Sequence, residues 1–148
     1  MKIPPPLVFA VPILIGWAVE HLVPASVFTF PFQPFVGLIA LICAAVLLIL
    51  AVTGFRLKKT TVNPFDPSEA TALVSGGIYS FSRNPMYVGM ALFALGICLG
   101  QGWSAGLLLL PVAIWYIDAN QIKPEEAALR ERFGAEYDAY CKRVRRWV

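Results

Sequence analysis

The sequence predicts an all-α integral membrane protein of four transmembrane helices. The third and fourth form a helical hairpin, and a cytoplasmic amphipathic C-terminal helix follows. Composition, one uninterrupted apolar run and the placement of the basic residues carry this reading. Of the 148 residues 58% are hydrophobic and only 14% charged, where an average soluble domain carries about a quarter charged. Phe35 to Phe55 reads FVGLIALICAAVLLILAVTGF, with no ionisable side chain. At about 1.5 Å per residue such a helix matches a hydrocarbon core of about 30 Å. At this length residues 1–148 form a single domain.

The first span covers residues 7–24 and carries Glu20 and His21 near its end. A cleaved signal peptide is the rival reading of this segment. Pro4-Pro5-Pro6 and Pro12 fit it poorly, and no small-x-small cleavage site precedes a soluble domain. The second span is 35–55. From Met86 to Ile117 the chain is apolar again but broken at Gly100-Gln101-Gly102, which predicts a tight turn between spans 85–100 and 103–118. Each of these is short for a full crossing. Residues 119–148 form the tail.

Lys2 precedes the first span, and Arg56, Lys58, Lys59 and Arg83 lie between the second and third. Lys123, Arg130, Arg132, Lys142, Arg143, Arg145 and Arg146 follow the fourth, which accounts for all 12 basic residues. The loop 21–34 and the turn at 100–102 have none. Both termini are therefore expected on the cytoplasmic side, at the cell inner membrane if the source is bacterial. A formal charge of +3 gathered on that face suits anionic membrane lipids and argues against nucleic acid as a partner. Cys43, Cys98 and Cys141 show no metal or redox spacing, and one histidine cannot build a His-based metal site. No phosphate-binding or dinucleotide-binding glycine motif is present.

The chemistry-bearing residues flank the hairpin. The loop 56–84 begins RLKKTTVNPFDP, with turns expected at Asn63-Pro64 and Asp66-Pro67 and a short interfacial turn over 68–73. Lys58 and Lys59 serve either topology or contact with a substrate headgroup. Asn84-Pro85 reads as the N-cap and first residue of the third helix, with Tyr87 and Gly89 in its first turns. The helix dipole there favours an anion, and Arg83 adds a planar donor fork. A role for Arg83 and Tyr87 as interfacial anchors is equally open. Pro124-Glu125-Glu126 places two carboxylates in the first turn of a further helix. Glu126 can pair with Arg130 on the surface, or one carboxylate can hold a cationic group of a cofactor. Asp118 either joins them or ends the fourth span. Leu129, Phe133, Tyr137, Tyr140, Val144 and Trp147 recur at helical spacing as one apolar stripe, with Gly134 as a kink. Arg130, Arg132, Glu136, Asp138, Lys142, Arg143 and Arg146 occupy the opposite side. Such a helix lies on the membrane surface, folds over the loop bearing Arg83, or does both.

GIYSFSRNPMYVG followed by PEE resembles the isoprenylcysteine carboxyl methyltransferase and phospholipid methyltransferase superfamily of integral-membrane enzymes. The likeness covers the chain from about Thr60. In that superfamily an Arg-His-Pro-x-Tyr-x-Gly motif and a later Glu-Glu pair build an S-adenosylmethionine site. The resemblance thus implies cofactor-binding roles for Tyr79, Arg83, Asn84, Pro85, Tyr87, Gly89, Glu125 and Glu126. Asn84 stands where a histidine is frequent. The implied reaction is methyl transfer from S-adenosylmethionine to a lipidic or prenylated small molecule. Carboxyl O-methylation of an isoprenylcysteine-like substrate comes first, and N-methylation of a phosphatidylethanolamine-type phospholipid second. A carboxylate acceptor needs a cationic clamp, for which Arg83 and Arg143 are the candidates. An amine needs a base, for which Glu125, Glu126 and Asp118 are available. Outside this class stand a nicotinamide-dependent membrane reductase and a non-catalytic protein whose arginines bind anionic lipid.

Overall fold

A computed structural model describes residues 3–23, 27–57 and 72–148. Lys2, Lys58, Lys59, the two Asn-Pro and Asp-Pro turns and the first part of the expected interfacial turn lie outside the described residues. Helix α1 spans Pro5–Leu22 and starts on prolines, whose fixed φ suits a first turn. Helix α2 spans Gln33–Leu57, α3 Pro85–Gln101, α4 Ser104–Ile117, α5 Lys123–Phe133 and α6 Ala135–Arg143. A single 3-10 turn at Gly77–Ser80 precedes α3. Apart from one isolated antiparallel bridge between Val27 and Trp103, the described residues are helices and their connections.

Among the described residues three segments are long and apolar enough to cross a membrane: Pro5–Leu22, Gln33–Leu57 and Ser104–Phe133. Helix α3, at 17 residues, is shorter. The expected break near Asp118 is absent. A π turn at Asp118–Ile122 joins α4 to α5, so that Ser104–Phe133 is a continuous rod of 30 residues. Pro124 explains the wide turn, because its ring would crowd the carbonyl four residues earlier in a regular α-helix. The amide of Lys123 bonds the carbonyl of Asp118, five residues back.

In lipid, apolar side chains gain little by leaving the solvent, so helices associate where small residues let backbones approach. That is how α2 meets α3. Gly37, Ala44 and Ala51 recur every seventh residue on α2, and all are buried. Gly89 and Gly96, also seven apart, lie on the buried face of α3. The helices run antiparallel: Gly37 abuts Gly96 and Gly100, while Gly89 abuts Leu48 and Ala44. Leu38, Ile39, Ile42, Val46 and Ile49 point outward from α2. Helix α1 packs on α4 and α3, and Gly106 of α4 admits both Cys98 and the Pro12 carbonyl. A core of Val8, Phe9, Ala94, Leu110, Ala113 and Ile117 joins α1, α3 and α4.

At the end away from α5, Gly102 takes a left-handed φ of 74° and closes α3, as the glycine pattern predicts. Gln33 accepts the Phe30 amide and donates to the Gly100 carbonyl at 3.3 Å. The Trp103 indole donates to Glu20. The carboxylate of the first span therefore serves structure at this end.

Replacing Gly37 by alanine would place a Cβ 2.6 Å from Gly100 Cα and 2.8 Å from the Gly96 carbonyl, both backbone atoms. The expected result is a lower melting temperature in detergent, corresponding to about 1–3 kcal/mol of overpacking. Gly76→Ala, with nothing within 4 Å of the new Cβ, leaves the midpoint unchanged.

Candidate functional site

The 3-10 turn before α3 is fixed from two sides. Tyr79 is buried with Ala51 and Val74, and its ring meets Phe55 edge-on at 5.3 Å. On the other side the Tyr140 hydroxyl donates to the Tyr79 carbonyl at 2.6 Å. Tyr137, Tyr140 and Val144 form one cluster with Leu73, Leu129 and Phe133. The apolar stripe of the tail thus folds over the loop that carries Arg83, one of the placements its periodicity allows.

Asn84 occupies the N-cap position of α3, but its side chain makes no capping bond. Its Nδ2 donates instead to the carbonyl of Arg146 at 3.0 Å. The Ser82 hydroxyl accepts the Asn84 amide at 3.1 Å. One turn into α3, the Tyr87 hydroxyl donates to Glu125 Oε1 at 2.6 Å. Gln121 Nε2 donates to the same oxygen at 2.9 Å. The π turn sets Gln121, which is buried, four residues before Glu125 on the same side of the rod.

Glu126 faces Arg83 across 3.0 Å, and the two side chains are 8% and 12% exposed. Arg146 approaches the same carboxylate, with Nη2 2.7 Å from Oε2 and Nε 3.2 Å from both oxygens. Its Nη1 lies 3.4 Å from Asp118, which also receives the Trp147 indole at 3.4 Å and Lys123 at 3.5 Å. The two polar segments, residues 79–89 and 118–126, therefore converge on one cluster of carboxylates and guanidinium groups. At this burial such a cluster holds only if each charge has its partner, since an uncompensated buried charge costs several kcal/mol. Arg83 Nε is buried and has no acceptor.

Three expectations for the tail change. The surface pair Glu126–Arg130 does not form: Arg130 pairs with Asp138 at 2.8 Å, and Glu126 turns inward. The helical stripe stops at Arg143, because Val144 is extended (φ −124°, ψ 131°). Trp147 consequently leaves the stripe and packs on the core that contains Tyr87, Ile117 and Ile122. Arg146 leaves the exposed side for the same reason. Arg143, expected to clamp an acceptor beside Arg83, is exposed at the end of α6, and no hydrogen bond or ion pair among the described residues joins it to the cluster. Gln121 was not singled out by the sequence patterns, and its i, i+4 spacing to Glu125 is the signal that was available. Tyr140 and Arg146 appeared there only as members of the apolar stripe and of its opposite side, not as site residues.

Burial pushes the phenols of Tyr79, Tyr137 and Tyr140 above their ordinary value. Glu126 adds to the effect at Tyr137, and Arg83 opposes it at Tyr140. Hydrogen bonding to Glu126 raises the Arg146 guanidinium further. A raised phenol holds its proton more tightly in the folded state than in the unfolded chain. Its contribution is complete below the unfolded value of about 10 and is lost as pH rises through the folded value. Stability should fall as pH passes about 10, followed by chemical denaturation. Tyr140→Phe should lower stability at neutral pH by about 1–2 kcal/mol, because the buried Tyr79 carbonyl loses its donor, and should make the alkaline decline shallower.

The description of the phospholipid methyltransferase family matches residues 32–136. The chain is 39% identical over 72 residues to the protein-S-isoprenylcysteine O-methyltransferase of Schizosaccharomyces pombe, covering 49% of this chain and 30% of that protein. It is 29% identical over 129 residues to a probable protein-S-isoprenylcysteine O-methyltransferase of Oryza sativa subsp. indica, covering 84% and 68%. With the Saccharomyces cerevisiae protein of the same name it shares 36% over 72 residues, again 49% of this chain and 30% of the other. The chain thus spans under a third of the two yeast proteins and about two thirds of the rice one. No solved structure matches it at a comparable level.

Proposed function

Since the chain belongs to the phospholipid methyltransferase family, we propose that it is an S-adenosylmethionine-dependent methyltransferase acting on a lipidic acceptor at the cytoplasmic membrane face. Carboxyl O-methylation of an isoprenylcysteine-like molecule is the reaction the site supports best. Both termini then lie in the cytoplasm, and α3 completes a fourth span with α4. The observation that carries the reading is the convergence of the Asn84-Pro85-x-Tyr87-x-Gly89 segment with Glu125 and Glu126, in a chain similar to proteins named isoprenylcysteine O-methyltransferases.

The residues fit the cofactor chemically. Arg83 Nε is a buried donor in want of an acceptor, and a carboxylate of the size found in a methionine moiety supplies one. Glu125, oriented by Tyr87 and Gln121, is the carboxylate assigned to the cofactor's amino group. Tyr79, Asn84, Pro85 and Gly89 shape the wall around them. A Cβ at Gly89 would already meet Leu48 Cγ at 2.9 Å, so that wall is closely packed toward α2. S-adenosylmethionine, when bound, supplies an activated methyl group on a sulfonium. The protein's part is to orient the acceptor, balance its charge and exclude water. Arg83 is the fixed cation available to a carboxylate acceptor. Tyr137 and Tyr140 cover the inner side, and Trp147 adds an apolar wall.

A carboxylate acceptor is ionised at neutral pH and needs no general base, which agrees with the lack of an imidazole at the site. The single histidine, His21, is bonded to the Trp17 carbonyl at the far end of α1. Amine methylation of a phospholipid is the second reading. Asp118, the partly exposed carboxylate of the cluster at 19% accessible, is the candidate base for it.

The protein in nanodiscs should bind radiolabelled S-adenosylmethionine and transfer label to a prenylated cysteine as a base-labile methyl ester. Arg83→Ala and Glu125→Ala should each reduce binding at least about tenfold, as expected for buried charge-assisted contacts. Label appearing instead in the headgroup of phosphatidylethanolamine would replace the first reading by the second. Nicotinamide oxidation without methyl transfer, or salt-sensitive lipid binding without either reaction, would refute both.

A further inference from the structure

Glu126 differs from Glu125 in what surrounds it. Both of its oxygens are engaged by guanidinium donors: Oε1 by Arg83 and Arg146, Oε2 twice by Arg146. An ammonium approaching this carboxylate would meet two fixed positive charges at short range. Glu126 and Arg83 are nearly buried, so that repulsion is screened less than at an open surface, though the Arg146 side chain is 34% exposed. Glu126 is therefore poorly placed to receive a ligand cation and well placed to hold two arginines.

The segment bearing Arg146 is tied to the loop before α3 by its backbone as well. The Arg83 amide donates to the Arg145 carbonyl at 3.0 Å, and Asn84 Nδ2 donates to the Arg146 carbonyl at 3.0 Å. Asp118 takes the second face of the Arg146 guanidinium and the Trp147 indole. Residues 145–147 thus run as a strap from the loop of Arg83 to the π turn. The ion pair with Glu126 is its central tie, and the strap lies beyond the end of the last helix with no intrahelical bonds to hold it.

We propose that Glu126 and Arg146 are a positioning pair that straps residues 145–147 across the site and fixes the guanidinium of Arg83, rather than contacts to the ligand. The proposal rests on the reading of this cluster as an S-adenosylmethionine site. It gives Asn84 a defined task, since the carboxamide supplies the donor that anchors the strap. It also makes the two adjacent glutamates unequal: removal of Glu126 acts through Arg83 and the strap.

The test compares Glu126→Gln, Arg146→Gln and the double variant in nanodiscs. Hydrogen exchange of the ligand-free protein over residues 83–84 and 144–148 is read beside equilibrium binding of S-adenosylmethionine. Each single substitution should speed exchange in both segments and weaken binding about tenfold. The double variant should be no worse than the weaker single one, because residues of one ion pair couple strongly. Arg146→Lys, which keeps the charge but loses the fork, should fall between Arg146→Gln and the parent in exchange. Arg146→Gln with unchanged exchange and binding, set against Glu126→Gln without binding, would make Glu126 a ligand contact and overturn the proposal. Losses that multiply in the double variant would overturn it too. If the parent protein binds no S-adenosylmethionine, the function proposed above fails, while exchange in the two segments still decides whether the strap exists.

Discussion

The carboxylate of Glu126 lies among apolar helix ends with a guanidinium on either side. Taking these charges out of water opposes folding strongly, and mutual attraction offsets that cost only when the geometry is tight and the remaining donors find acceptors. Arg83 reaches Glu126 from the loop before α3, and Arg146 reaches it from beyond α6. The carboxylate itself stands at the start of α5. Three segments distant in sequence must therefore meet at one point, or each leaves a charge without compensation. The position of the loop, the course of the tail and the end of the long rod follow from that one requirement.

The π turn at Asp118–Ile122 makes the meeting possible. It lets one helix leave the core of α1, α3 and α4 and continue into the polar region without a break, so the carboxylates of α5 inherit the rigidity of α4. One extra residue per turn also rotates the helix face. Gln121 and Glu125 then point at Tyr87, while Asp118 and Glu126 share Arg146. Farther along the helices the demand is different. The seven-residue spacing of Gly37, Ala44 and Ala51 against Gly89 and Gly96 brings α2 onto α3 by shape alone, with no polar group needed. Shape fixes the apolar length of the molecule, and charge fixes its polar end.

Much of this was legible in the sequence, and the reasons are physical. Span positions follow from runs of apolar residues, which lipid requires and water disfavours, so α1 and α2 lie where hydropathy puts them. The turn at Gly100–Gly102 follows from the need for a positive φ. The Asn84-Pro85 and Pro124-Glu125-Glu126 segments are recognisable because each has a backbone reason for its proline. What sequence periodicity could not give is the point where it stops applying. The stripe from Leu129 to Trp147 keeps helical spacing by coincidence past Arg143, and only the extended backbone at Val144 turns Arg146 inward and frees Trp147 for the core. The continuity of α4 and α5 was equally hidden, since a proline at 124 reads as a new start until a π turn makes room for it.

Glu20 and Glu126 show how one residue type takes opposite parts in one small protein. Glu20 sits at the end of α1 and accepts from the Trp103 indole, a neutral donor that fixes the α3–α4 turn against α1. The bond needs no counter-charge, and none of the 12 basic residues lies in the neighbouring loop. Glu126 is held between the guanidinium groups of Arg83 and Arg146. The basic residues gathered at this end of the molecule therefore supply the counter-charges for its acidic cluster. A polar site of this kind is most economically built at the end where topology already concentrates Arg and Lys. Under the proposed function, a water-soluble cofactor would reach this end from the cytoplasm, and a hydrocarbon-tailed acceptor would enter sideways between helices. The same helices that hold the carboxylates in place would be the walls that such an acceptor passes.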